Sequence, residues 1–248
     1  MTFAHLLLLA GAAFLAGALN SVAGGGSFLS FPALVYVGVP SVMANATNTV
    51  ALFPGQLASA WAYRRDFPRL PGLHPLVLIL VSLTGGVAGA LLLVSTPQKS
   101  FDAVVPWLLL LATLLFAFSK RLVPWLQRRI HVGPRTVCAL QFLLGIYGGY
   151  FGGAVGIMML AVFGLFGIDD IHAANALKTL LGGLINAIAV ICFIIAGKVE
   201  LLPALVMLTA SVLGGYAGAR GAKVVPQALL RRGVVAAGAV MTLVFFVR

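Results

Sequence analysis

Lys178 lies in the apolar stretch "ANALKTLLGGLINAIAV" at 174–190, and it is the positive charge hardest to place at a membrane boundary. A lysine at the centre of a bilayer-spanning helix costs about 2.5–3.5 kcal/mol on insertion scales, which makes a functional role, as partner of an anion, the default reading. The bland alternative is snorkelling, because Asp170 and the interface are only about two turns away. Asn175 precedes Lys178 by three residues and shares its helical face; Thr179 is adjacent, and Asn186 lies eight positions beyond, near the same stripe. An earlier stretch, "ANATNTV" at 44–50, has the same pattern, with Asn45, Thr47 and Asn48, and with Gln56 eight positions beyond Asn48. Such polar groups are unfavourable in lipid and should face a cavity or another helix.

A second pair of stretches could bind through the backbone. "LNSVAGGGSFLSFP" at 19–32 carries Asn20, Gly24, Gly25, Gly26 and Ser27, and "YGGYFGGAVG" at 147–156 carries Gly149, Gly152 and Gly153. A helix broken at such a run exposes first-turn N–H groups that, with the helix dipole, favour an anion by about 0.3–2 kcal/mol. The competing reading of glycine in a membrane helix is close packing, and it is preferred for "GGVAGA" at 85–90 and "GGYAGA" at 214–219, which have no adjacent Asn or Ser. Asp169 and Asp170 open a helix and are accounted for by N-capping. With His172, which could titrate near neutral pH, they form a secondary expectation of proton coupling. Asp66, Asp102 and Glu200 are assigned to loops.

These residues must be held by membrane helices. The chain is 61% hydrophobic and 8% charged, with mean hydropathy +1.10, against roughly 45–50% and 25% for soluble domains, which makes it an integral membrane protein. Ten apolar segments follow at about 3–22, 27–39, 43–63, 73–94, 101–119, 137–151, 154–168, 172–196, 201–219 and 227–247. The second, sixth and seventh are short for a core that needs about 20 helical residues per crossing. "MTFAH" lacks a positive n-region, so the first segment is read as a mature helix.

The basic stretch "SKRLVPWLQRRIHVGPR" divides two similar halves. A shift of about 128–130 carries Gly17 to Gly145, "ANAT" to "ANAL", Gln56 to Asn186, "GGVAGA" to "GGYAGA" and Thr113 to Thr242. The expected organisation is a membrane repeat over 1–119, a basic cytoplasmic linker over 120–136 and a second membrane repeat over 137–248. Twelve of the sixteen Lys and Arg fall at 64–69, 120–135 and 220–232, which the positive-inside rule places in the cytoplasm. The heavy loop follows the third segment in one half and the ninth in the other, so the repeats are inverted. Each half then crosses an odd number of times, both termini lie outside, and the net charge of +11 is mostly a topology signal with no nucleic-acid partner implied.

Enzyme chemistry has no support: no paired carboxylates, no metal-ligand spacing, no nucleophilic triad, and no GK[ST] after the glycine runs. Cys138 and Cys192 read as small buried hydrophobes, and no cofactor is expected.

"LNSVAGGGSFLSFPALVYVGVPSVMANATNTVAL" at 19–52 resembles the first signature of the sulfite exporter TauE/SafE family, also called the toluene-sulfonate uptake permeases, and "LGIYGGYFGGAVGIMMLAVFGLFGIDDIHAANALKTLLGGLINAIAV" at 144–190 is similar to its second. The resemblance covers nearly the whole chain. It implies transport of sulfite, other sulfur oxoanions or organosulfonates, with signature positions at Gly24, Gly25, Gly26, Pro32, Asn45, Thr47, Gly149, Gly152, Gly153 and Gly156. Leu177 stands where the first half has Thr47, so the half-sites are not equivalent.

The expected protein is therefore an all-α polytopic protein of a bacterial-type inner membrane, with two inverted repeats of about five segments whose Gly-broken or re-entrant helices meet near the midplane. There they enclose one site for a small anion, reached by alternating access. Proton coupling is expected because no carboxylate for a sodium site is evident within a span, although backbone carbonyls could hold Na⁺. An anion channel and a non-transporting membrane assembly partner are the other classes, and a homo-oligomer is left open.

Overall fold

The computed structural model describes residues 1–22, 25–68, 70, 72–127, 129–221 and 227–247. They form ten α-helices and, among the described residues, no strand: α1 (Phe3–Val22), α2 (Ser27–Tyr36), α3 (Ser41–Ala62), α4 (Pro75–Ser95), α5 (Gln98–Gln127), α6 (Pro134–Tyr150), α7 (Val155–Leu165), α8 (Ile171–Ile195), α9 (Leu201–Gly221) and α10 (Gln227–Val247). Their starts follow local chemistry. Pro75 and Pro134 occupy first-turn positions where no N–H is needed, and the Asp170 carboxylate caps α8 by accepting from His172 N–H at 2.9 Å.

The ten helices match the ten apolar segments, with two informative differences. α2 and α7 stop about three residues short of their apolar runs, because Gly38 and Gly167 close them with the same pair of backbone hydrogen bonds. Val39 N–H reaches Leu34 C=O and Gly38 N–H reaches Val35 C=O; Ile168 and Gly167 repeat this on Phe163 and Gly164. α5, in contrast, runs through Pro124 to Gln127, well into the basic stretch, because Leu122, Val123 and Leu126 continue a half-buried stripe while Arg121 stays exposed.

Among the described residues, five helical stretches are long and apolar enough to cross a membrane: Phe3–Asn20, Pro75–Ser95, Gln98–Ser119, His172–Ile195 and Leu201–Gly218. The chain is a multi-pass membrane protein. α2 and α7, at 10 and 11 residues, reach only about 15–17 Å at 1.5 Å per residue, half of a roughly 30 Å hydrocarbon core.

Glycine sets the closest helix contacts. α1 packs on α9 and α4 on α6; a Cβ on Gly214 would lie 1.9 Å from the Phe14 carbonyl oxygen, and one on Gly89 would lie 2.0 Å from that of Ile146. "GGVAGA" and "GGYAGA" are thus packing surfaces, as their apolar surroundings suggested. α3 and α8 cross antiparallel: Asn186 on α8 meets Gln56 on α3, while Glu200, just past the end of α8, meets Thr47 near the start of α3. One apolar core joins α2, the first half of α3 and α5 around Phe31, Leu34 and Phe101. A second joins α4, α6, α7 and the first half of α8 around Leu78, Phe163 and Leu181.

Candidate functional site

Both glycine runs break a helix. At the first, Gly25 takes φ +86°, a conformation that costs a non-glycine residue about 1–2 kcal/mol, and the chain turns back into α2. The Asn20 side-chain oxygen accepts from Gly26 N–H at 2.8 Å and ties the end of α1 to the start of α2. Ser27 opens α2, half-buried. Gly24 lies outside the described residues.

At the second break Gly152 takes φ +77° and Ala154 +59°. The tie has the opposite polarity: the Tyr147 hydroxyl donates to the Gly153 carbonyl at 2.7 Å. Each tie spans six residues. Asn20 stands out in the sequence and Tyr147 does not, since a shift of 128–130 does not pair the two. Gly149 makes room for helix contact, since a Cβ there would lie 2.3 Å from the Gly86 carbonyl oxygen.

The polar residues of α3 are buried and committed to protein partners. Asn45 donates through Nδ2 to the Tyr150 carbonyl at the end of α6, at 2.9 Å. Thr47 Oγ1 accepts from Glu200 N–H at 3.0 Å. Asn48 Oδ1 accepts from Ser30 Oγ at 2.5 Å, and Ser30 is fully buried on α2. Together they clamp α3 to three neighbours. Thr47→Val removes one acceptor and keeps the shape, so it is expected to destabilise the fold by about 1 kcal/mol and to leave anion binding unchanged, read by thermal unfolding with and without anion. Leu177, at the corresponding position, packs among apolar side chains instead, so the two halves differ there.

Lys178 stands in different surroundings. Its amino group donates to Asn175 Oδ1 at 2.7 Å, and among the described residues no carboxylate pairs with it. Its stem crosses the first turn of α7 at Gly156, where a Cβ would lie 3.2 Å from Lys178 Cδ. Thr179 donates its hydroxyl to the Asn175 carbonyl of its own helix at 2.8 Å. Farther along, Asn186 Nδ2 donates to Gln56 Oε1, joining two positions that correspond in the two halves.

The structure gathers these residues into two clusters. Asn48 and Lys178 each lie eight residues, about 12 Å along a helix, from the Gln56–Asn186 crossing, and on antiparallel helices those distances run in opposite directions. Asn45, Thr47 and Asn48 fall on one side of the carboxamide pair; Asn175, Lys178 and Thr179 fall on the other. A single point that collects them all requires parallel helices.

The remaining candidates sit at helix ends. Asp169 and His172 are exposed at the start of α8, and Asp170 is its cap. Asp102, assigned to a loop, lies instead in α5, where it accepts from the Ser41 hydroxyl and from Gln98 Nε2 at 2.9 Å. Gln98 Oε1 in turn accepts from Val42 N–H at 3.3 Å, so this cluster caps α3. Residues 9–245 match the family described as Sulfite exporter TauE/SafE. The chain belongs to that family. The probable membrane transporter protein ORF9 of Sinorhizobium is 31% identical over 93% of this chain and 90% of its own. The probable membrane transporter protein of Haemophilus influenzae is 29% identical over 92% and 89%, and YfcA of Escherichia coli K12, another probable membrane transporter protein, 31% over 93% and 85%. No solved structure matches this TauE/SafE chain significantly. As a member of a transporter family it needs a place to hold a solute, and among its described residues no three His, Cys, Asp or Glu form a group that could hold a metal ion.

Proposed function

We propose that this protein is a secondary transporter of small sulfur-containing anions (sulfite, other sulfur oxoanions or organosulfonates), working by alternating access and coupled to protons. The observation that carries the reading is Lys178, a half-buried lysine without a carboxylate partner among the described residues, laid against the first turn of α7. A lone cation and a half-helix N-terminus favour the same ligand charge. Asn175 orients the ammonium, the N–H groups that open α7 at Gly153, Ala154 and Gly156 supply further donors, and Gln56 and Asn186 mark the inner end of the path. Asn20, Gly25, Gly26 and Ser27 form the corresponding break on the other side, where Asn48 takes the position of Lys178 and is satisfied by Ser30.

The pairing of helices supports inverted repeats with boundaries near 1–119, 120–136 and 137–248. Under the sequence shift α1 becomes α6 and α9 becomes α4, so the α1–α9 and α4–α6 contacts are images of one another, while α3–α8 and α5–α10 map onto themselves. Such contacts suit two halves that rock about a central axis. Arg64 over the Trp61 ring and Arg129 over the Trp125 ring suit a membrane–water interface at those loops; with the positive-inside rule, we take that interface as cytoplasmic and both termini as outside a bacterial-type inner membrane.

The test is flux in proteoliposomes. Saturable movement of sulfite, thiosulfate or methanesulfonate, faster under an imposed pH gradient and indifferent to acetate and chloride, is the expected result. Flux that never saturates would make the protein a channel; transport that follows Na⁺ would remove the proton; and no movement of any sulfur anion would sink the proposal.

A further inference from the structure

Gly182 is an unusual glycine. It is buried on α8, yet a Cβ built on it would meet nothing within 4 Å, whereas the other described glycines with that much space, Gly11, Gly38, Gly55, Gly133, Gly167, Gly197 and Gly233, are all exposed. Buried glycines in this fold otherwise serve close contact, as Gly89, Gly149 and Gly214 do. Gly182 therefore borders open space inside the protein, in an interior that would ordinarily be close-packed.

Its position gives that space a meaning. Gly182 is four residues beyond Lys178 and four before Asn186, on the stripe that carries the charge at one end and the Gln56–Asn186 pair at the other. The shift of 130 that carries Gln56 to Asn186 carries Leu52 to Gly182, and Leu52 is buried. At the corresponding places, then, the first half has Asn48 bonded to Ser30 and a buried leucine, and the second has a lone ammonium and a missing side chain.

We propose that Gly182 is the specificity-determining residue of the anion site: its missing side chain leaves the room beside Lys178 in which the body of the ligand lies, bounded at its far end by Gln56 and Asn186. Leu52 takes up that room in the first half, so the protein holds one ligand and not two. The inference rests on the anion-site reading given under the proposed function. An alanine at 182 shortens the space by one methyl, and a leucine reproduces the first half.

The experiment is a thermal-shift titration of purified full-length protein with sulfite and with linear alkanesulfonates of increasing length, comparing wild type, Gly182→Ala, Gly182→Leu and, as a control, Gly11→Ala. Because the Cβ meets nothing, and alanine favours helix over glycine, Gly182→Ala is expected to keep or raise the unfolding midpoint without ligand. It should at the same time weaken the longer alkanesulfonates before sulfite. Gly182→Leu is expected to weaken all of the alkanesulfonates by about tenfold or more, and Gly11→Ala to change no affinity. Wild-type affinities in Gly182→Leu across the whole series would overturn the proposal, as would a fall of several degrees in the ligand-free midpoint of Gly182→Ala, which would mean that the space is not open. A wild type that shows no saturable response to any of these anions would instead overturn the anion site itself, and the role of Gly182 with it.

Discussion

Gly89→Val is expected to abolish the folded protein. A Cβ at 89 would lie 2.0 Å from the Ile146 carbonyl oxygen and 2.9 Å from the Tyr150 amide nitrogen, both backbone atoms of α6 that cannot rotate away. Four further glycines on α4 and α6 form this seam with Gly89: Gly85 faces Gly145, and Gly149 faces Gly86. Relief at one position therefore requires the helices to part along the whole contact, with loss of dispersion contacts throughout. The damage also spreads, because α6 ends in the Tyr150 carbonyl that Asn45 holds and leads into the Gly152 break. Large overpacking of this kind costs about 3 kcal/mol or more, beyond the margin of many proteins. Size-exclusion profiles and unfolding midpoints in detergent, with Gly11→Val as the control in open surroundings, read the effect. A Gly89→Val protein that elutes and melts like wild type would show that α4 and α6 do not meet as described.

Lys178→Met is expected to leave the fold intact and remove the anion response. Methionine is unbranched and long enough to keep the packing of the lysine stem over Gly156, while the charge and its donors to a ligand are lost. Hydrogen bonds to charged groups contribute about 1.5–3 kcal/mol, or roughly 10- to 100-fold in dissociation constant. The basal midpoint should hold or rise, since a charge that is unfavourable in the membrane interior has been removed. Lys178→Arg, which keeps the charge and changes its shape, should retain part of the response. Titrated thermal shifts and initial flux rates check both variants. If Lys178→Met binds and transports like wild type but melts several degrees lower, Lys178 is a structural lysine and the snorkelling reading was right. Asn45→Ala is a poorer test, because it also releases the Tyr150 carbonyl.

The polar stripes show how far a linear reading reaches. Asn45, Asn48, Asn175 and Lys178 were legible because polar groups in a long apolar run are costly and stand out against it. Ser30 and Tyr147 were not, since a serine in an apolar helix and a tyrosine among aromatics are ordinary until their partners, Asn48 and the Gly153 carbonyl, come within 2.5 and 2.7 Å. The role of Gly182 was invisible for the same reason. The residue's spacing from Lys178 and Asn186 can be read from the chain, but the space beside it cannot: Gly183 has Leu57 at 4.0 Å and Gly182 has nothing.

The sequence by itself determined the membrane environment, the ten helices and most of their ends, and the glycine breaks. All of these depend on local quantities: transfer free energy summed over a segment, backbone freedom at a residue, and a cap within a few positions. The internal match between halves was legible too, as it is a comparison of the chain with itself. Only the tertiary structure decided that the polar residues form two clusters on either side of Gln56 and Asn186, because that depends on α3 and α8 running antiparallel. It also decided which polar groups already have protein partners, and that Lys178 meets Asn175 and, among the described residues, no carboxylate. Hydrogen-bond partners 18, 105 and 153 residues away are brought together by packing, and no local pattern in the chain encodes them.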